Sequence, residues 1–373
     1  MIEATKLSTN KMVDQLLALN QEQSQLFMEN WRDRAMYRVD YPTEIGADKC
    51  MDGRVHLPKY TNTPLGIFYP WRNIGGMFDL GWPFYFETVW AWYKYALSKG
   101  RSAIKLVTYH YARGAEGEDP EKVKHRGCAG HKFDTEAAKA ASLALKKQYD
   151  QRFKNQGLYA IQCGVETDLE ALILHGENGE VLDLATCDLK NDEEILSMLK
   201  SFYPQIPADV VEDLVPMVRG NIEHIAEVRA SNKPPIDLEH RERVLGVGTG
   251  YDWFHEPNLA LIVGPFDSDL YKVIATAASI LKKNVDEQRV NAEDGLVLLT
   301  STAFRKVGSP ELNAHDKMLS EIIHGHCEDK ANFFTRYALD VITKEYPELL
   351  TPKYNLQTMT AICDMETRRL HLL

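Results

Sequence analysis

The chain has 373 residues, of which 44% are hydrophobic and 26% charged, and its formal net charge is −11. That length suits two domains, and the acidic balance excludes a general binder of nucleic acid or of anionic membranes. No apolar run approaches the roughly 18–20 residues needed to span a bilayer, and the opening MIEATKLSTNKMVDQLL lacks the long apolar stretch of a secretory signal. The cysteines are Cys50, Cys128, Cys163, Cys187, Cys327 and Cys363. So few in so long a chain make no disulfide scaffold; they fit a cytoplasmic protein whose reduced thiols are free to bind metal.

Residues 1–36 are rich in Leu, Gln, Met, Glu and Lys and contain no Pro or Gly. They predict a helical arm that ends before Tyr41-Pro42. Scattered Gly and Pro mark a mixed region from Gly46 to Gly81. The aromatic stretch 82–98 predicts a helix closed by Gly100. AIKLVTY at 103–109 predicts a buried strand, and an acidic loop follows at 112–124. The Ala- and Lys-rich stretch 134–153 predicts a helix capped by Asp134 or Thr135. Strands are expected at 158–165 and 169–175, with a turn at Glu177-Asn178-Gly179. Strands alternating with helices predict an α/β fold with a mainly parallel central sheet flanked by helices. Residues 191–232 return to charged, helical composition. Pro204, Pro207 and Pro234-Pro235 punctuate them, and the strand pattern restarts at Arg243. The expected division is an arm at 1–40, a first domain at 41–190, a helical arm or linker at 191–240 and a second domain at 241–373.

The two halves match at a shift of about 200 residues. Cys50-Met51-Asp52-Gly53-Arg54 lies opposite Gly250-Tyr251-Asp252-Trp253-Phe254. Residues 82–98 lie opposite 270–283, and 104–109 opposite 296–300. His125-Arg126-Gly127-Cys128 lies opposite His324-Gly325-His326-Cys327. The closing strand with Cys163, Glu166 and Thr167 lies opposite Cys363, Glu366 and Thr367. The order is kept throughout, which predicts an internal duplication.

Catalytic zinc is held by three thiolate, imidazole or carboxylate ligands, with water in the fourth position. Cys50, His125 and Cys128 offer such a set: the last two at a short chelating spacing, the first from a distant loop. Both cysteines stand in Gly-containing polar segments, which favours ligation over a packing role.

CMDGR at 50–54, WRNIGG at 71–76 and HRGC at 125–128, followed by Ala129-Gly130, resemble the β-class carbonic anhydrases over about residues 40–187. The resemblance implies a β-carbonic-anhydrase-like fold and zinc ligation by Cys50, His125 and Cys128. It implies a dyad in which Asp52 accepts a hydrogen bond from zinc-bound hydroxide and Arg54 holds Asp52 in place. The implied activity is the reversible hydration of carbon dioxide to bicarbonate, with zinc lowering the pKa of its water to about 7. In closed forms of the family the same Asp ligates zinc when its Arg partner is lost. β-class units are dimers, so the duplication implies a pseudo-dimer in cis, from which larger homo-oligomers could be built. The implied partners are carbon dioxide and bicarbonate, with no nucleic acid and no membrane. The implied location is the cytoplasm, or a microcompartment within it.

Three departures stand out. An insertion of about a dozen residues separates the strand end near Tyr109-His110 from His125. His110 is therefore a rival ligand, although Arg113 stands where a Cys would complete its spacing. His131 lies near enough to be a proton carrier or a surface residue. Gly76 replaces an Asn that many family members have. In the second half Gly250 replaces the first thiolate and Phe254 the arginine, so that half reads as metal-free despite His324 and Cys327. One complete and one degenerate copy is the pairing of carboxysomal shell carbonic anhydrases, a group whose ligand spacing differs from HxxC. Two other functions compete. One is zinc-dependent hydrolysis of carbonyl sulfide or carbon disulfide, through an apolar entrance lined by Phe68, Tyr69, Trp71 and the aromatics of 82–95. The other is a non-catalytic scaffold with structural zinc, which would need neither Asp52 nor Arg54.

Overall fold

The computed structural model describes residues 10–114, 127–231, 240–305 and 314–373. Helices α1 (Lys11–Glu29) and α2 (Trp31–Asp40) open the chain. They are followed by β1 (Glu44–Cys50), α3 (Leu57–Tyr60), β2 (Phe68–Asn73), α4 (Pro83–Ser98), β3 (Ala103–Tyr111) and α5 (Thr135–Arg152). Then come β4 (Leu158–Glu166), β5 (Ala171–His175), β6 (Val181–Asp183), α6 (Asp192–Phe202), α7 (Ala208–Glu212) and α8 (Val215–Ala230). The remainder is β7 (Val244–Gly248), β8 (Ala260–Val263), α9 (Leu270–Asp286), β9 (Leu296–Phe304), α10 (Ala314–Glu345), β10 (Leu356–Asp364) and β11 (Leu370–Leu372). Local chemistry sets several boundaries. Asp134 caps α5 by accepting from the Ala137 N–H at 2.9 Å, and Asn191 caps α6 through the Glu194 N–H at 2.9 Å. Gly100, at φ 68°, ends α4 in the left-handed conformation glycine tolerates.

The chain forms two compact units. One takes Glu29–Glu239 and Val263–Leu270; the other takes His240–Ile262 and Tyr271–Leu373 with the chain up to Met28. The first unit holds a six-stranded sheet in the order β2-β1-β3-β4-β5-β6. β1 pairs parallel with β2 and β3, β3 pairs parallel with β4, and β5 is antiparallel to β4. A parallel sheet covered on both faces explains why β1 and β3 read as nearly unbroken buried runs. Along β3, Ile104 and Leu106 join a core with Leu199, Val211 and Val218 of α6–α8. Ala103 and Val107, pointing the other way, join Tyr85, Val89, Trp92, Leu145 and Tyr149 of α4 and α5. Residues 191–231 thus supply one covering layer of the first sheet.

The second unit holds a five-stranded sheet in the order β8-β7-β9-β10-β11. Its β7·β9 and β9·β10 pairs are parallel and its β10·β11 pair antiparallel, repeating β1·β3, β3·β4 and β4·β5 of the first. Met12 and Leu16 of α1 belong to its core with Val244, Trp253 and Leu299. The α/β class with mainly parallel, helix-flanked sheets expected from the sequence is therefore the fold the chain adopts.

Candidate metal centre

The first sheet brings its chemistry together where the parallel strands end, the edge at which open α/β sheets bind ligands. β1 ends at Cys50, and Asp52 and Arg54 follow in the next loop. β3 carries His110 near its end. An isolated antiparallel bridge between Tyr111 and Gly127 brings the returning chain back beside β3, so that Cys128 arrives next to Cys50. The ligand atoms of Cys50, His110 and Cys128 all lie within 4.8 Å of one another. Cys50 Sγ and Cys128 Sγ are 3.6 Å apart, and both thiols are free. His125 lies outside the described residues, so the histidine seen beside the two thiols is His110.

The three residues fit a metal. Tetrahedral coordination with Zn–S bonds of about 2.3 Å places two sulfurs roughly 3.8 Å apart, close to the spacing here. The exposures of Cys50, His110 and Cys128 are 5%, 4% and 3%, so water does not satisfy them. Nε2 of His110 is buried without a hydrogen-bond partner, a costly arrangement that a ligated ion would relieve. The two thiols titrate as a pair. Their mutual hydrogen bond, reinforced by burial, raises Cys50 well above the ordinary thiol range. The same bond lowers Cys128, against the opposing effect of burial. Burial disfavours the His110 imidazolium, but its interactions with Cys50 and then Asp52 outweigh burial and the net shift is upward. A cation would take over the role these protons play.

Asp52 and Arg54 form a buried, bidentate pair. Asp52 Oδ1 accepts from the Arg54 backbone N–H at 2.8 Å and from Nε at 3.0 Å. Its Oδ2 accepts from Nη2 at 2.6 Å. That Oδ2 also stands 3.8 Å from His110 Nε2, which puts the dyad beside the cluster. The loop after β2 closes over the end of β1. Gly76, at φ 64°, lies so close that a Cβ would meet Thr108 O at 2.9 Å and Cys50 N at 3.6 Å. His131 is half-buried and bonds Gly75 O through Nε2 at 2.9 Å, which ties the segment after Cys128 to this loop. Of the aromatics weighed as an entrance, Trp71, Tyr85 and Trp92 are buried core, while Tyr69, Trp90 and Tyr95 are exposed.

The second sheet has no equivalent cluster among the described residues. β9 (LVLLTSTAF) carries no histidine, whereas β3 ends in His110-Tyr111. Gly250, at φ 84°, is wedged so that a Cβ would lie 2.7 Å from Cys363 and 3.3 Å from Ala303. Cys327 lies against Ala303 O at 3.6 Å, and His324 turns to Glu328 at 3.1 Å and to the ring of Phe304. Asp252 keeps an arginine partner, but it is Arg368, at 3.0 Å.

Sequence reasoning missed Tyr60, whose hydroxyl donates to Arg54 O, and the α8 residues behind it. No motif marks them.

No family model matches the chain. Among curated proteins it is similar to the carboxysome shell carbonic anhydrase of Prochlorococcus marinus (strain MIT 9313), 27% identical over 252 residues, covering 58% of this chain and 46% of that one. It is 26% identical over 257 residues to that of Hydrogenovibrio crunogenus, with 58% and 46% covered. It is 23% identical over 262 residues to that of Halothiobacillus neapolitanus, with 58% and 49% covered. The chain spans about half the length of the curated relatives it matches. The chain is thus similar to the carboxysome shell carbonic anhydrases over somewhat more than half of its length, and that similarity stands beside a repeated α/β sheet order and a buried Cys-His-Cys cluster.

Proposed function

We propose that the first unit is a zinc-dependent carbonic anhydrase, hydrating carbon dioxide reversibly to bicarbonate, with Cys50, His110 and Cys128 as the protein ligands. The observation that carries this reading is the meeting of those three buried side chains next to a carboxylate already held by an arginine. A bound zinc lowers the pKa of a coordinated water to about 7 and so supplies a nucleophile at neutral pH. The chain's own residues do the rest. Asp52 accepts the hydrogen bond that orients the attacking oxygen, and the guanidinium of Arg54 keeps the carboxylate ionised and aimed. A structural site would need neither residue, which disfavours the scaffold reading. The repeated strand order supports an origin by duplication, with Gly250 standing in the second copy where the first has Cys50. The relatives' names support residence in a carboxysome-type shell, and no helix among the described residues is long and apolar enough to cross a membrane.

Stopped-flow assay of the zinc-loaded chain tests this. Acid release on mixing with carbon dioxide, lost on chelation and restored by zinc, is the expected result. Sulfide release from carbonyl sulfide without acid release from carbon dioxide would move the assignment to the sulfur analogue. A zinc-loaded chain inert toward both would leave only a scaffold.

A further inference from the structure

Helix α8 supplies none of the metal cluster, yet it reaches the dyad through a short series of contacts. The Tyr60 hydroxyl donates to the main-chain oxygen of Arg54. Tyr60 is fully buried, and a hydroxyl left unpaired there would be costly, so Arg54 O and Tyr60 are tied together. Burial also raises the phenol well above its ordinary range, which keeps it a donor. Tyr60 is held in turn from α8. Asn221 is fully buried and uses its whole amide: Nδ2 donates to Tyr60 O at 2.7 Å and to Glu170 O at 2.8 Å, and Oδ1 accepts from Leu172 N at 2.8 Å. One turn on, His224 stacks on the Tyr60 ring, with centroids 5.9 Å apart, and bonds the Glu170 carboxylate. Beside Asn221, Gly220 lets α8 lie flush against the end of α3, since a Cβ there would sit 2.0 Å from Thr61 O.

We propose that Tyr60, held by Asn221 and His224 of α8, is a positioning residue that keeps Arg54 on Asp52 and so keeps the Asp52 carboxylate off the metal. This rests on the reading of Cys50, His110 and Cys128 as metal ligands. Asp52 Oδ2 lies 3.8 Å from the His110 ligand atom. A carboxylate that close can reach an ion held by His110 once its arginine lets go. The Arg54 side chain folds back two residues to reach Asp52, so it depends on where its own main chain is fixed, and Tyr60 fixes it.

The test uses the full chain loaded with cobalt(II), whose visible spectrum reports whether water or a carboxylate fills the fourth position. Tyr60→Phe removes one hydroxyl. It is expected to keep one cobalt per chain, shift the spectrum in the direction produced by Arg54→Ala, and weaken its pH dependence, which reports the bound water. Hydration by the zinc form should fall about 10- to 100-fold. Gly220→Ala, which pushes α3 away from α8, should move the spectrum the same way. Leu199→Ala, a core truncation on α6, should lower stability and leave the spectrum alone. An unchanged Tyr60→Phe spectrum at full cobalt content would overturn the proposal, and so would a Leu199→Ala spectrum that shifts equally. An unmodified chain that binds no cobalt would instead overturn the metal-site reading itself.

Discussion

Arg54 grips Asp52 through both carboxylate oxygens, Nε to Oδ1 at 3.0 Å and Nη2 to Oδ2 at 2.6 Å, in a loop shielded from water. The geometry separates metal binding from chemistry, because neither residue belongs to the Cys-His-Cys cluster. Asp52→Asn and Asp52→Ala are expected to keep zinc and lose hydration by on the order of a hundredfold or more, since the attacking oxygen loses its orientation. Arg54→Ala should lose activity as well, with Asp52 released toward the ion. Zinc content by elemental analysis, measured beside the hydration rate, checks both. Full activity in either variant would reduce the dyad to a loop ion pair.

One zinc per chain is expected. Cys50→Ser, Cys128→Ser and His110→Ala should each lose most of it. Cys327→Ser should retain it, because Cys327 lies against Ala303 O and belongs to no candidate metal cluster among the described residues. His125→Ala decides between the two histidines weighed from the sequence: retention of zinc there, with loss in His110→Ala, is the expected pair of results. The reverse pair would return the ligand role to His125.

Cys50, Asp52, Arg54 and Cys128 were legible because they sit in short, chemically specific segments whose spacing survives folding. His110 was legible only as a rival. The insertion separates it from Cys128 in sequence, and only the bridge between Tyr111 and Gly127 closes that gap. The helices of 191–231 read as an arm or linker because their charged faces dominate the composition. Their apolar residues Leu199, Val211 and Val218 cover the first sheet. Nothing in the sequence singles out Asn221 and His224 within that charged, helical stretch. Pairing with Tyr60 and Glu170 is a tertiary fact that no local pattern encodes.

Lys105 and Asp48 lie fully buried beneath the site, 2.7 Å apart, with the ammonium over the ring of Trp71. Burial draws Lys105 down to about 7 and lifts Asp48, while each partner's charge opposes the other's shift. Breaking such a pair strands one charge in the core. Lys105→Met is expected to cost about 3–5 kcal/mol in urea unfolding, and the double variant Lys105→Met with Asp48→Leu substantially less. Equal losses in the single and double variants would show that the pair is not coupled.

His175 Nε2 and the Tyr109 hydroxyl share a buried hydrogen bond of 2.9 Å. Burial, with help from Lys139, depresses His175 to about 4 from its ordinary 6.5. Between those values the unfolded chain binds the extra proton, so this residue makes stability fall as pH drops from about 6.5 to about 4. His175→Gln should flatten that part of the profile. Urea midpoints at pH 7 and pH 4.5 check it: the unmodified chain should lose more stability than the variant between the two. An equal loss would remove His175 as the cause.

Zinc K-edge absorption on the unmodified chain tests the open three-ligand centre most directly. Two sulfur ligands at about 2.3 Å, one imidazole nitrogen at about 2.0–2.1 Å and one further light atom from solvent are expected. A shell of four protein ligands, or one with fewer than two sulfurs, would contradict the Cys50, His110 and Cys128 centre.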